Sequence, residues 1–173
     1  MLVKVIVATD TNNGIGKNNR IPWSCKDDMH FFARNTIGNG ENAVMMGKNT
    51  WLSIGRPLVR RMNIVVSSTL SEIEGAVVSK TVEEGIEAAR KAKVDILWVI
   101  GGAGIYEWFL NYEHTDEVVV SKIPGRYKCD VFFPAMNAEK WSKSYQFEIG
   151  KSGLTVFYYR NRLKWRDPYD VIV

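Results

Sequence analysis

Cysteine and histidine are scarce, with two of each among 173 residues. Cys25 and Cys129 are too few for a disulfide framework and fit a reducing compartment. His30 and His114 have no second His, Cys or carboxylate at ligand spacing, so both are read as surface residues and no metal is expected. No apolar run approaches the ~18–20 residues of a membrane span. No basic-then-apolar leader precedes the strand-like start Met1-Leu2-Val3-Lys4-Val5. The chain is therefore expected to be soluble and cytoplasmic. No Gly-x-Ser-x-Gly elbow is present, which removes that class of hydrolase. The net charge is only +4 and diffuse, apart from Arg160, Arg162, Lys164 and Arg166 near the end. That tail reads as a solvated basic extension, and no nucleic-acid partner is expected. Repeats, low-complexity segments and linkers are absent, so a single domain is expected.

One carboxylate stands out. Asp28 follows the Gly-rich stretch Gly14-Ile15-Gly16-Lys17-Asn18-Asn19-Arg20-Ile21-Pro22-Trp23 and opens the apolar helical segment Asp28-Met29-His30-Phe31-Phe32. Helical spacing puts Asp28, Met29 and Phe32 on one face. A carboxylate there must be exposed, paired internally, or kept for a ligand that can hydrogen-bond it, because burial without a partner costs several kcal/mol. The last alternative makes it a site.

Apolar runs at 3–8, 43–46, 64–66, 96–100 and 118–120 are continuous and rich in β-branched residues, as in strands covered on both faces. Helical patterns lie at 27–35, 81–93 and 103–111. Thr81 with Glu84 makes a capping box, and Glu83 adds charge where the helix dipole favours it. The alternation predicts an α/β fold with a largely parallel sheet. Segments 144–149 and 154–159 flank Gly150-Lys151-Ser152-Gly153 and predict a closing β-hairpin.

Three turns at strand ends carry polar or glycine residues. Gly101-Gly102-Ala103-Gly104 opens Ile105-Tyr106-Glu107, and such a turn lets backbone approach a phosphate. Its spacing is not the dinucleotide glycine fingerprint. Gly47-Lys48-Asn49-Thr50 is half of a P-loop, but Asn42 stands where the first glycine belongs, so the P-loop is rejected. Ser67-Ser68-Thr69 ends another strand with three hydroxyls. Together the turns suit a nucleotide at one edge of an open sheet.

In order and spacing, these segments closely resemble dihydrofolate reductase of the bacterial kind. The resemblance runs through Gly14-Ile15-Gly16, Ile21-Pro22-Trp23, Asp28, Phe32, Arg34-Asn35-Thr36, Met46-Gly47-Lys48-Asn49-Thr50-Trp51 and Ser53-Ile54-Gly55-Arg56-Pro57-Leu58. It continues through Asn63-Ile64-Val65-Val66-Ser67-Ser68, Val99-Ile100-Gly101-Gly102-Ala103, Tyr106, Asp130 and Phe133-Pro134. It implies an eight-stranded, mostly parallel sheet with an antiparallel C-terminal edge strand and helices on both faces. The domain would span 1–160, with 161–173 a basic extension. It implies a monomeric oxidoreductase using NADPH to reduce 7,8-dihydrofolate to tetrahydrofolate for one-carbon metabolism, and a target of antifolates.

Carried onto this chain, the resemblance places Asp28, Trp23, Ile21, Tyr106 and Ser121 in catalysis. Ile6, Val7, Ala8, Asp28, Met29, Phe32, Ile54, Leu58, Arg61, Ile100, Tyr106 and Ser121 would meet the substrate, with Asp28 on the pterin's amidine edge and Arg61 on the glutamate α-carboxylate. The cofactor would meet Ala8, Ile15, Gly16, Ile21, Gly47, Lys48, Asn49, Thr50, Ser67, Ser68, Thr69 and Lys80. It would also meet Ile100, Gly101, Gly102, Ala103, Gly104, Ile105 and Tyr106. Residues 11–24 would be a lid over the nicotinamide.

The chain departs from the family pattern in four places, among them Ile21, where Met or Leu is common, and a tail beyond Tyr159 longer than the minimal bacterial pattern. Val59-Arg60 stand where Pro-Gly is common, so Arg60 and Arg61 compete for the carboxylate clamp. Gly104 replaces an arginine that some members set on the cofactor, which leaves Lys48 as the main cation. Two rivals are a riboflavin-pathway pyrimidine reductase on the same fold and a protein that binds folate or nucleotide without turnover.

Overall fold

The computed structural model describes residues 1–164. Arg166 and the rest of 165–173 lie outside the described residues. Ten strands and four helices follow in the order β1 (Leu2–Thr9), β2 (Gly14–Gly16), α1 (Lys26–Ile37), β3 (Ala43–Gly47), α2 (Lys48–Ile54), β4 (Met62–Val66), β5 (Val77–Ser79), α3 (Val82–Lys91), β6 (Ile96–Val99), α4 (Ala103–Asn111), β7 (Glu117–Lys122), β8 (Val131–Phe132), β9 (Trp141–Ile149) and β10 (Leu154–Asn161). Eight of the strands form one sheet in the order β5-β4-β3-β6-β1-β7-β10-β9, and β2 pairs with β8 separately. From β5 to β7 every pairing is parallel.

The continuous apolar runs become strands covered on both sides. Val3, Val5 and Val7 join Ile86, Ala89, Phe109 and Leu110 in a cluster beneath α3 and α4. Ile6, Val44, Met46, Val65 and Val119 form the opposite cluster, onto which Phe31, Phe32, Trp51 and Ile54 of α1 and α2 pack. Side-chain alternation along each strand thus divides one apolar run between two cores. The capping box forms: Glu84 N–H donates to Thr81 Oγ1 at 3.2 Å. The Glu84 carboxylate reaches one residue further back than the motif predicts and accepts from Lys80 N–H at 2.8 Å. Among the described residues no helix is long and apolar enough to cross a membrane.

The end of the sheet refines the expectation. β10 is antiparallel to both β7 and β9, so the last strand lies inside the sheet and β9 forms its edge. The hairpin folds its first arm outward because β10 uses both sides of its backbone. The arms are also longer than expected, since Trp141 is buried and its indole N–H donates to Leu110 O at 3.2 Å. Beyond residue 160, Asn161 belongs to β10 and donates to Thr115 O at 2.8 Å, and the Lys164 ammonium pairs with Asp116. Periodicity missed β2, β5 and β8, which are two or three residues long, and gave no bounds for α2, of which only the strand-to-helix turn at Gly47-Lys48 was read.

Phe109 is fully buried between α4 and the sheet. Phe109→Ala is expected to lower unfolding free energy by about 3–5 kcal/mol through lost transfer energy and a residual cavity. A lower urea midpoint at unchanged m-value is the readout, and a change under about 1 kcal/mol would show that the cavity collapses.

Candidate active site

Because β4, β3, β6, β1 and β7 run parallel, their C-terminal ends share one edge. In open α/β sheets this edge is where ligands bind. Four of these ends deliver the residues singled out by sequence: Gly47-Lys48 after β3, Ser67-Ser68-Thr69 after β4, Gly101-Gly102 after β6, and Ser121 near the end of β7. Ala8 pairs in register with Ser121, which brings the ends of β1 and β7 together.

Asp28, in the first turn of α1, lies half-buried against this edge. Burial pushes its carboxyl above the ordinary carboxylate value, and a hydrogen bond from Ser121 offsets part of that rise. Ser121 itself is buried, at 1% exposure. Tyr106 is buried too; its hydroxyl donates to Ile6 O at 2.9 Å. Burial, with the Asp28 charge adding to it, drives the Tyr106 phenol far above its usual range. Asp28, Ser121 and Tyr106 thus make a small polar island, with half-buried Phe32, Ile54 and Leu58 and buried Ile6 and Ile100 in the apolar cluster beside it.

Two expected contacts divide differently. Met29 is 63% exposed, so the face it was expected to share with Asp28 and Phe32 splits, with Met29 on the solvent side. Val7 points to the core under α3 and α4, away from α1. Only its backbone can meet a ligand beside Asp28, while Ile6 and, by alternation, Ala8 present side chains there.

The competition between the two arginines has a geometric answer. The Arg61 side chain turns toward α1, donating from Nη1 to Thr36 Oγ1 at 2.8 Å and from Nε to Val59 O at 2.9 Å. Burial, then the charge of Arg60, lowers the Arg61 pKa. Arg60 is exposed, in the left-handed region at φ 60°. Buried Asn63 holds this turn: its amide accepts from Leu58 N–H at 2.8 Å and donates to Leu58 O and Arg61 O, both at 2.9 Å. Asn63 lay within a segment that carries the family resemblance, yet nothing in its spacing marked it as the brace of Leu58 and Arg61.

The glycine turns leave the room a cofactor needs. Gly101 has φ 112°, and a side chain there would sit 3.1 Å from the Tyr106 ring. The Gly101–Gly102 peptide is cis. Gly102 caps α4 without a side chain, and a Cβ at Gly104 would meet nothing within 4 Å, so the first amides of that nine-residue helix are approachable. Gly47 N–H donates to Gly101 O at 2.8 Å and ties two turns together. Ala103 and Ile105 continue this helix, and Asn49 and Thr50 begin α2.

Lys48 reaches across from β3 to β4, where its ammonium donates to Thr69 Oγ1 at 2.9 Å. Ser67 turns inward: its buried hydroxyl accepts from Thr69 N–H at 3.2 Å and Leu70 N–H at 3.1 Å. Ser68 and Thr69 remain exposed beside Lys48. Lys80 stays on the same side, donating to Leu70 O at 2.9 Å.

In the Gly-rich segment, Ile15 and Gly16 form β2, Ile21 is 63% exposed, and Trp23 packs edge-on against Tyr127 with centroids 5.4 Å apart. Sequence reasoning overlooked Asp10 and Tyr127, which secure this segment. Buried Asp10 accepts from three backbone N–H groups, and a lone aspartate just after a strand carries no local signal of that role. His30 and His114 are exposed, and among the described residues no three His, Cys, Asp or Glu side chains gather as a metal site.

Glycine and hydroxyl turns at the C-terminal edge of a parallel sheet, beside a half-buried carboxylate, are the arrangement in which α/β enzymes bind a nucleotide. Residues 2–160 match the family model described as dihydrofolate reductase. The chain is 38% identical over 141 residues to dihydrofolate reductase of Haemophilus influenzae, covering 82% of this chain and 84% of that one. It is 35% identical over 150 residues to the Rattus norvegicus enzyme, covering 79% and 80%. The structure of dihydrofolate reductase from Enterococcus faecalis, complexed with NADP(H) and RAB-propyl, superposes with a TM-score of 0.81 at 26% identity, over 92% of this chain and 96% of that one. The chain belongs to the dihydrofolate reductase family.

The raised pKa of Asp28 makes a stability prediction. A carboxyl whose folded pKa lies above its unfolded value favours folding when protonated, and that contribution is lost as pH rises through the folded pKa. At neutral pH the ionised group therefore costs stability. Asp28→Asn is expected to raise Tm near pH 7, and the gain should shrink as pH falls through the raised folded pKa and vanish below the ordinary carboxylate value. Thermal melts of both proteins across pH test this; a gain independent of pH would assign it to something other than ionisation.

Proposed function

We propose that this protein reduces 7,8-dihydrofolate to 5,6,7,8-tetrahydrofolate with NADPH. The observation that carries the reading is the half-buried Asp28 carboxyl, raised by burial and backed by Ser121, beside an apolar cluster. An amidine edge gives such a group two N–H donors in one plane. Phe32, Ile54, Leu58, Ile6 and Ile100 supply the apolar walls for the ring system, and Met29 lies at the open side. Arg61, held at the C-terminal end of α1 by Thr36, takes the substrate's glutamate α-carboxylate.

The reduced nicotinamide, when bound, supplies the hydride. The turn Gly101-Gly102 and the start of α4 at Ala103, Gly104 and Ile105 take the diphosphate side. Lys48, with Ser68, Thr69 and Lys80, takes the adenosine ribose phosphate. Ala8, Ile15, Gly16 and Ile21 close over the reacting end, with Trp23 and Tyr106 beside them.

Asp28 holds and orients the pterin, and its negative charge favours a proton on the ring. In this reading a water molecule, not Asp28, delivers the proton to N5. Ser121 positions the carboxylate. The enzyme acts as a cytoplasmic monomer on small molecules, with 1–160 as the catalytic domain and the basic 161–173 outside the chemistry.

Purified protein is expected to oxidise NADPH only when dihydrofolate is present, and a diaminopyrimidine antifolate is expected to stop it by pairing with Asp28. Absorbance at the nicotinamide band follows both. Folded protein that binds either ligand but never turns over would instead be the binding protein that is this reading's rival.

Arg61→Ala is expected to raise the dihydrofolate KM strongly, at a cost of about 1.5–3 kcal/mol for a charge-assisted contact, with kcat changed little. Arg60→Ala should have a much smaller effect. The opposite ranking in steady-state kinetics would move the clamp to Arg60.

A further inference from the structure

Arg61 is not the only guanidinium on its turn. The stretch Arg56-Pro57-Leu58-Val59-Arg60-Arg61 holds three arginines and no carboxylate. Between Met29 and Ser71 the one acidic residue is Glu41. No ion pair among the described residues involves Glu41, Arg56, Arg60 or Arg61. The Arg61 Nε donates to Val59 O at 2.9 Å, so its guanidinium folds back across the turn that carries Arg60. Its Nη1 donates to Thr36 Oγ1 at 2.8 Å. The rest of the fork can hold one carboxylate bidentately, not two. The turn itself faces solvent: Val59 is 71% exposed, and Arg60 is exposed beside it. Consecutive Cα atoms lie about 3.8 Å apart, so the two guanidiniums start from one point of the surface. Arg60 has φ 60°, a backbone region that favours glycine. Arginine at this position therefore carries a backbone cost and a like-charge repulsion with Arg61, and no ion pair within the described residues offsets either.

We propose that Arg60 is a specificity residue for substrates with carboxylates beyond the one that Arg61 holds: the preferred substrate is dihydrofolate lengthened by γ-linked glutamates, whose added carboxylates meet the Arg60 guanidinium. The assignment takes the identity of the substrate from the proposed dihydrofolate reductase function. With the α-carboxylate on Arg61, the γ-carboxylate is the remaining point at which the substrate can be extended. Each glutamate joined there by an amide bond brings an α-carboxylate of its own, so the negative charge grows with length. A solvent-facing guanidinium on a flexible stem can follow such a chain, and a buried one could not. Because the contact is exposed, it is modest and screened by salt. The brace of Asn63 on Leu58 and Arg61 fixes the turn from which both arginines project.

The test compares dihydrofolate bearing one glutamate with the same compound bearing three γ-linked glutamates, on the full chain. KM is read from NADPH oxidation, and Kd from tryptophan quenching. At low salt the wild-type protein is expected to favour the three-glutamate form by about threefold or more in both quantities. That ratio should fall toward one at about 1 M salt, where the Debye length is about 3 Å. Arg60→Gln is expected to abolish the preference. Arg60→Lys should keep most of it, since lysine restores the charge under the same backbone constraint, and Arg56→Gln should keep it as well. No preference in the wild-type protein, a preference that survives Arg60→Gln or high salt, or one lost equally in Arg60→Lys or Arg56→Gln would each overturn the assignment. Wild-type protein that binds both folates but reduces neither would remove the functional reading alone, since the two Kd values still judge Arg60. Wild-type protein that binds neither folate overturns both.

Discussion

Parallel pairing across β4, β3, β6, β1 and β7 is the constraint on which the rest depends. Once these strands hydrogen-bond in parallel, every loop leaving a C-terminal end must emerge at the same edge. Residues far apart in the chain then share a few ångströms: Gly47 N–H meets Gly101 O at 2.8 Å, and Ala8 pairs with Ser121. The parallel arrangement also requires cover on both faces, which α1 and α2 supply on one side and α3 and α4 on the other. The covering helix α1 brings Asp28 to the edge. A chemical site follows from a packing requirement.

The site divides its labour by environment. At the α1 end the surroundings are apolar and burial outweighs the hydrogen bond from Ser121, so Asp28 is held at a disadvantage in its charged form. At the β4 end Lys48, Ser68, Thr69 and Lys80 stand in or near solvent, where a phosphate can be met without a large desolvation cost. Asp10 is the counter-example to Asp28. Burial would raise its pKa, yet the N–H groups of Tyr127, Gly14 and Asn12 and the Cys129 thiol more than compensate and hold it low. A buried and a half-buried aspartate in one protein are therefore shifted in opposite directions. Asp10 is bonded on both oxygens by backbone N–H groups, whereas Asp28 has the single hydrogen bond from Ser121 and keeps acceptor capacity.

Local pattern determined a good deal. Continuous β-branched runs announced doubly covered strands, Thr81 with Glu84 announced the start of α3, and the order of strands and helices announced an α/β sheet. Asp28 stood out as a candidate ligand site because a carboxylate on an apolar helix face needs a hydrogen-bonding partner. The glycine and hydroxyl turns were legible as turns, and their family resemblance supplied roles. These signals act within a few residues, through alternation, helical spacing and capping.

Tertiary structure decided what depends on contacts between distant segments. It sent Val7 to one core and Ile6 to the other, put β10 inside the sheet rather than at its edge, and turned Met29 to solvent. It pointed Arg61 rather than Arg60 at α1, through Thr36 and the brace of Asn63. It turned the Ser67 hydroxyl inward and left Ser68 and Thr69 exposed. It joined Asp10 to Tyr127 across more than a hundred residues of chain. No local periodicity encodes such pairs, because each hydrogen bond exists only after the sheet has brought its two ends together.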